Sequence, residues 1–182
     1  MKNIAKSVDN SIFKKALISI LTLVSLFLVV SCGSSKANSA ESKDLTSISN
    51  LLNDRSFEIE NQWAFPLRGS RIDLIGNPNF LRIQGDSANV NLPYFGVRQM
   101  GGGYGDRGGI IFDGPIEDVT IKQGKKENSM VMSFKGTQDG NEDLRFFVTV
   151  FPNNRTDISV NSSQRDGISY QGNIKPYTDK EK

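Results

Sequence analysis

Histidine is absent from this sequence, and cysteine occurs once, at Cys32. Without imidazole, neither a Ser–His nor a Cys–His nucleophile pair can be assembled, and one thiol cannot supply a zinc site of the Cys/His type. A lone cysteine cannot form an intrachain disulfide either, so the fold must be held by a packed core. We therefore predict no catalytic residue, no metal site and no enzyme activity.

An excess of positive charge is also lacking once the N-terminus is set aside. Residues 32–182 contain 18 Lys and Arg against 19 Asp and Glu, and the basic residues are scattered rather than clustered. A nucleic-acid-binding domain usually has a basic stripe or patch. No nucleic-acid partner is therefore predicted, and charge alone indicates no other partner class or oligomeric state.

The N-terminus has the pattern of a bacterial lipoprotein signal. Four lysines precede an apolar run over residues 16–30, which is short for a membrane-spanning helix, and Ser31 then meets Cys32. We predict that residues 1–31 are a signal peptide and that lipid on Cys32 attaches the protein to a membrane; a plain transmembrane anchor is the alternative. Residues 33–36 lack an early acidic cluster, which favours an outer-membrane position facing the periplasm over exposure on the cell surface.

The pattern of apolar residues changes near Arg55. Residues 32–43 are small and polar, as in a flexible tether, and helical spacing predicts a short helix over residues 45–53. From Phe57 onward, apolar residues recur every second position in short runs separated by turn residues. This pattern predicts one all-β domain over residues 44–176, an antiparallel meander of about ten strands forming a sandwich or flattened barrel, followed by a polar tail over residues 177–182.

The apolar patterns of two predicted strands allow more specific predictions. Phe57, Ile59, Trp63 and Phe65 alternate with polar residues, which favours Trp63 as a core residue rather than a sugar platform. The run over residues 144–151 has apolar residues at both parities, which predicts a strand covered on both faces.

A glycine-rich segment interrupts the strands between Leu92 and Pro115 and contains eight glycines. Residues 103–108 match a dinucleotide fingerprint, but a strand follows instead of the helix that phosphate binding requires, so no cofactor is predicted. The bulky residues of the segment are candidates for a ligand or partner site: Tyr94, Phe95, Met100, Tyr104 and Arg107. For Tyr94 and Phe95, plugging one end of the core is the favoured alternative.

The sequence is similar to a family of Bacteroidota lipoproteins catalogued as domain of unknown function 4251. The resemblance is carried by residues 92–96, 109–117, 151–153, 159–162 and 168–172, and it extends over residues 53–174. It implies an all-β fold and an envelope location. It implies no activity, substrate or catalytic residue.

Three hypotheses for function follow. The leading one is a non-enzymatic binding module that holds an apolar or amphipathic ligand, or a partner's segment, beside residues 92–109. The alternative is an interaction subunit of an envelope complex with a solid core and no pocket. A third, a hydrolase, would require two carboxylates to converge among five candidates: Glu58, Glu60, Asp113, Glu117 and Asp118.

Overall fold

The computed structural model describes residues 35–99, 108–125 and 128–178. Helix α1 spans Ser35–Asp54. Ten strands follow: β1 Ser56–Pro66, β2 Ile72–Asp73, β3 Phe80–Gln84, β4 Ser87–Leu92, β5 Ile110–Pro115, β6 Glu117–Gln123, β7 Met130–Gln138, β8 Glu142–Val150, β9 Arg155–Ser162 and β10 Ile168–Pro176. The predicted all-β class, the ten strands and the N-terminal helix are confirmed.

The strands form one antiparallel sheet in the order β5-β4-β3-β1-β10-β9-β8-β7-β6, with β2 paired to β1. The sheet curls into a nearly closed barrel because β5 lies against β7 at the seam. There the Phe112 ring covers Gly136, where an added Cβ would lie 2.5 Å from a ring carbon. The Gln138 side chain also accepts a hydrogen bond from the Ile111 amide at 2.8 Å.

Side chains fill the interior of this barrel. Phe134 and Phe146 lie opposite each other on β7 and β8, and their rings stack with centroids 4.7 Å apart. Tyr170, Phe57 and Leu92 are also fully buried in the same core. Because Ser39–Lys182 forms one compact unit with its own core, we expect this part of the chain to fold by itself.

Helix α1 begins at Ser35, within the segment predicted as a tether, and ends at Asp54. Its early part contains no glycine or proline and includes Ala37, Ala40 and Glu41, which favour helix. Ile48 and Leu52 are buried in the core, which places the C-terminal half of α1 against the domain. Among the described residues, no helix has the length and apolarity needed to cross a membrane; the predicted signal peptide and Cys32 lie outside them.

The prediction that Trp63 is a core residue is wrong, because its side chain is only half-buried. The pairing with β10 shifts between Asn61 and Trp63, which reverses the inward and outward positions beyond that point. Ala64 is therefore buried, while Trp63 and Phe65 are half-buried. Trp63 instead carries the guanidinium of Arg71 over its ring, 4.1 Å from the centroid.

The prediction that the strand over residues 144–151 is covered on both faces is also wrong. Strand β8 alternates strictly, with Leu144, Phe146 and Val148 buried and Phe147 only half-buried. The outer face of β8 is therefore partly open to solvent, and the apolar Phe147 lies beside Arg145 and Lys135 in a shallow depression.

Candidate binding site at the loop end of the barrel

Because the strands alternate in direction, the connections that follow β1, β4, β7 and β9 all lie at one end of the barrel, here called the loop end. The glycine-rich segment begins there, after β4. The segment over residues 93–99 is bound to the connection between β9 and β10: Gln99 N donates to Gln164 O at 2.8 Å, and Asp166 N donates to Val97 O at 3.0 Å. This part of the predicted site therefore has a defined position.

Tyr94 and Phe95 are half-buried and pack against the core. The Tyr94 hydroxyl lies 3.0 Å from Val97 O and 3.1 Å from Asp166 O. Burial, together with the nearby Asp166 carboxylate, raises the pKa of Tyr94. Tyr94 thus holds the segment in place, whereas Phe95 faces an open cleft; Met100, Tyr104 and Arg107 lie outside the described residues.

A buried ion pair that the sequence did not predict lies at the loop end. Arg165 Nε and Nη2 lie 2.6 and 2.7 Å from the two carboxylate oxygens of Glu142, and the side chains are 2 and 1 % exposed. Ser162 donates to the same carboxylate, and Arg98 Nη2 lies 3.4 Å from it. Burial alone would raise the pKa of Glu142, but these hydrogen bonds and the charges of Arg165 and Arg98 hold it below its usual value.

Arg165 also links the two ends of the glycine-rich segment. Its Nη1 donates to Gly109 O at 3.1 Å, and its guanidinium lies 5.0 Å from the ring centroid of Tyr94. The sequence signal for Glu142 was available, because Glu142 has the same parity as Leu144, Phe146 and Val148 and so belongs to the inward face of β8. No such signal exists for Arg165, which follows the end of β9 in a connection.

An open cleft of about 450 Å³ lies at the loop end, between residues 66–72 and residues 95–97. Leu67 and Val97 line it and are 66 and 54 % exposed. Arg68 and Arg71 also line it, and neither forms an ion pair within the described part of the chain. Opposite them is Asp166, whose carboxylate accepts a hydrogen bond from Gln99 Nε2 at 2.8 Å. The cleft thus combines exposed apolar side chains with two cations and one carboxylate.

A larger cleft, of about 700 Å³, lies at the opposite end between α1 and the end of β10. Its apolar walls include Ile48 and Ile174, which are already buried. None of the large hydrophobic residues identified as exposed in the described chain lines it. We therefore take the loop-end cleft as the better candidate site, despite its smaller volume.

Two of the carboxylates considered for a hydrolase, Glu58 and Asp113, lie far apart on the barrel, whereas Glu58 and Glu60 both lie near Lys175 Nζ, at 3.0 and 3.9 Å. Glu58, Arg82, Asn89 and Asp113 lie opposite one another on β1, β3, β4 and β5, so Glu58 and Asp113 are three strand spacings apart. That separation is about 14 Å, beyond the range of a glycosidase pair. Although burial opposes ionisation, hydrogen bonds from Arg82 and Lys175 lower the pKa of Glu58, which disfavours a role as general acid.

The acidic run over residues 139–143 begins with the tight turn between β7 and β8, and its last two residues, Glu142 and Asp143, start β8. In the turn, Asp139 and Gly140 adopt positive φ, at 51 and 75°. Within the described residues, no group of three or more Asp, Glu, His or Cys side chains is arranged to hold a metal ion.

The fold and site define a small, nearly closed antiparallel barrel with a packed interior and an open cleft at its loop end. The model of the family described as "Domain of unknown function (DUF4251)" matches residues 39–174, and the chain belongs to this family. The predicted resemblance is thereby confirmed. No curated protein matches the sequence.

Solved structures also resemble this chain. One is the crystal structure of a DUF4251 family protein from Bacteroides eggerthii DSM 20697, with a TM-score of 0.57 and 18% sequence identity. The alignment covers 73% of this chain and 87% of that chain. At this level of identity, the similarity concerns the fold.

Proposed function

We propose that the protein is a lipid-anchored binding module of the cell envelope, and that its loop-end cleft holds an amphipathic ligand or a partner's apolar segment. The exposed Leu67 and Val97 beside a cleft of about 450 Å³ support the proposal most directly. Ligand sites are typically concave and apolar with a few polar groups that fix orientation. Arg68 and Arg71 would supply those groups and favour a ligand with an anionic end.

The interior of the barrel is not part of this proposal. Tyr170, Phe134, Phe146 and Met132 fill the barrel, so a ligand would not enter it in the manner of a hollow barrel. The glycine-rich segment supports the site differently: Tyr94 and the Arg165–Glu142 pair hold Phe95 and Val97 in fixed positions beside the cleft. Such preorganisation lowers the entropic cost of binding.

The same proposal includes a non-enzymatic role. The separation of Glu58 from Asp113 and the engagement of Glu58 by Arg82 and Lys175 support it. A hydrolase would instead need a carboxylate with a raised pKa facing a second one across a cleft.

Membrane attachment through Cys32 forms the other half of the proposal, with the domain facing the periplasm from the outer membrane. Metabolic labelling with a fatty-acid analogue should mark the protein, and Cys32→Ser should abolish both labelling and membrane fractionation. Protease added to intact cells should leave the domain uncut. Unchanged fractionation of Cys32→Ser would contradict the anchor, and digestion on intact cells would contradict the periplasmic orientation.

The binding proposal is tested with the domain Ser39–Lys182 and a fluorescent fatty-acid analogue. Leu67→Ser and Val97→Ser should each weaken binding about 5- to 30-fold, because each removes apolar contact area from the cleft. Ile75→Ser is the matched control, since Ile75 is 73 % exposed but does not line the cleft. Absence of saturable binding, or equal losses in all three variants, would contradict the proposal.

One observation favours the alternative role as an interaction subunit. Strand β6 is the last strand of the sheet order and, in the described residues, pairs only with β7. Its residues are exposed or half-buried, so its outer edge is open to strand addition. The alternative predicts a stoichiometric envelope partner that the wild-type protein captures and Lys122→Glu does not, with fatty-acid binding unchanged.

A further inference from the structure

The outer face of the sheet between β10 and β8 carries a group of polar side chains that do not bond to one another. Gln171 on β10 lies opposite Asp157 on β9, and Asp157 lies opposite Thr149 on β8. In the next outward-facing row, Ser169 lies opposite Ser159. All five residues, here called the polar patch, are half-buried. Within the described part of the chain, none of their side chains is hydrogen-bonded.

Elsewhere on the outer face, facing polar side chains do bond across the strands. Thr120 and Ser133 are joined by a hydrogen bond of 2.7 Å, and Asn89 Nδ2 donates to the Asp113 carboxylate at 3.2 Å. In the polar patch, by contrast, the Asp157 Oδ1 is buried and has no partner among the described residues. Buried polar atoms are nearly always hydrogen-bonded, so an unpaired one calls for an explanation. The patch thus retains hydrogen-bonding capacity that an external partner can use.

Aromatic side chains border the polar patch on both sides. Trp63 and Phe65 border it on β1, where they lie opposite Gln171 and Ser169. Phe147 borders it on β8. All three aromatic residues are half-buried. The sheet order β1-β10-β9-β8 places the two borders three strand spacings apart, about 14 Å, which accommodates a short chain of sugar rings.

We propose that this face of the barrel binds a neutral oligosaccharide, with its rings against the aromatic borders and its hydroxyl groups bonded to the polar patch. Sugar rings suit the arrangement because their C–H faces stack on aromatic rings, while their hydroxyl groups both donate and accept. The Asp157 carboxylate only accepts, whereas the Gln171 amide and the three hydroxyl side chains of the patch donate and accept. A polyhydroxylated ligand can therefore satisfy every group in the patch.

Other classes of partner fit this face less well. The centres of protein interfaces are depleted in Asp and Ser, but Asp157, Ser159 and Ser169 occupy the centre of this one. Acyl chains would leave the Asp157 carboxylate buried without a partner, which is strongly unfavourable. None of the patch residues lines the loop-end cleft, so the two sites are separate.

The test uses the domain Ser39–Lys182 and four neutral trisaccharides as probes: maltotriose, cellotriose, mannotriose and triacetylchitotriose. Isothermal titration calorimetry should show saturable binding of at least one of them. Asp157→Ala and Gln171→Ala should each weaken that binding about 5- to 10-fold, because each removes hydrogen bonds to sugar hydroxyls. Phe147→Ala should weaken it about 10-fold through loss of ring stacking.

Asp113→Ala is the matched control, because Asp113 is an exposed carboxylate on β5, outside the patch. It should leave trisaccharide binding within twofold of the wild type, and circular dichroism should show every variant folded. Failure of all four probes to bind, or equal losses for Asp157→Ala and Asp113→Ala, would overturn the proposal. Leu67→Ser should leave trisaccharide binding unchanged, so this proposal and the one for the loop-end cleft can fail separately.

Discussion

Arg165 and Glu142 form a bidentate ion pair whose side chains are 2 and 1 % exposed, at 2.6 and 2.7 Å. Glu142 begins β8, and Arg165 lies between β9 and β10 while donating to Gly109 O across the loop end. The pair therefore joins the barrel to both ends of the glycine-rich segment. Everything proposed for the loop end depends on this buried charge pair holding its surroundings in place.

Breaking the Arg165–Glu142 pair should destabilise the folded domain. Arg165→Met should lower the free energy of unfolding by about 3–5 kcal/mol, because the Glu142 carboxylate would lose its main partner while remaining buried. Chemical denaturation of the domain Ser39–Lys182 measures this. The double variant Arg165→Met, Glu142→Leu should recover much of the loss, since it leaves no uncompensated charge; additive losses would contradict this account.

The free energy of unfolding should depend on Glu142 at acidic pH. Because the pKa of Glu142 is lower in the folded state than in the unfolded chain, its contribution is fully present above about pH 4.3 and is lost as pH falls through the folded-state pKa. We expect Glu142→Gln to flatten the fall in unfolding free energy between about pH 5 and 3. Glu58→Gln should act in the same direction, since Glu58 also has a lowered pKa. Unaltered slopes in titrated denaturation curves would disprove the linkage.

Gly172 should not tolerate a side chain. A Cβ at this position would lie 2.0 Å from Glu60 O and 2.7 Å from Asn61 Cα, both of them main-chain atoms of the bulged part of β1. Gly172→Ala should therefore cost more than about 3 kcal/mol or prevent folding. Gly114→Ala is the matched control within a strand, because its Cβ would meet only the Phe112 ring at 3.8 Å. Equal melting temperatures for the two variants would refute the assignment.

The bulge in β1 should depend on Asn79. The Asn79 Oδ1 accepts from Asn61 N and Asn61 Nδ2, each at 3.0 Å, and Asn79 Nδ2 donates to Asn61 O at 2.9 Å. Asn79→Ala leaves these buried groups unpaired and should cost about 2–4 kcal/mol. Asn79→Asp keeps the acceptor but turns a second oxygen toward Asn61 O and Asn77 O, so it should also destabilise the fold. The exposed Asn77→Ala serves as control, and a similar loss there would argue against the assigned role.

Ten strands, their hairpins and the all-β class were predictable because alternation and turn chemistry are local properties. The two wrong predictions, for Trp63 and for the strand over residues 144–151, share one cause. The shift between Asn61 and Trp63 depends on how β1 pairs with its neighbours, and the open outer face of β8 depends on what covers that strand. Likewise, only part of the candidate site was predictable from the sequence. Tyr94 and Phe95 stood out as bulky residues in glycine-rich chain, whereas Leu67, Arg68 and Arg71 did not stand out in a short turn.

What the sequence by itself determined is the strand content, the absence of imidazole chemistry and the inward parity of Leu144, Phe146 and Val148, because side-chain alternation and composition need no long-range information. Only the tertiary structure decided that Glu142 meets Arg165, 23 residues later, and that Leu67 and Val97 share one cleft. Those meetings follow from the curl of the sheet, which brings together residues whose sequence separation carries no sign of their proximity.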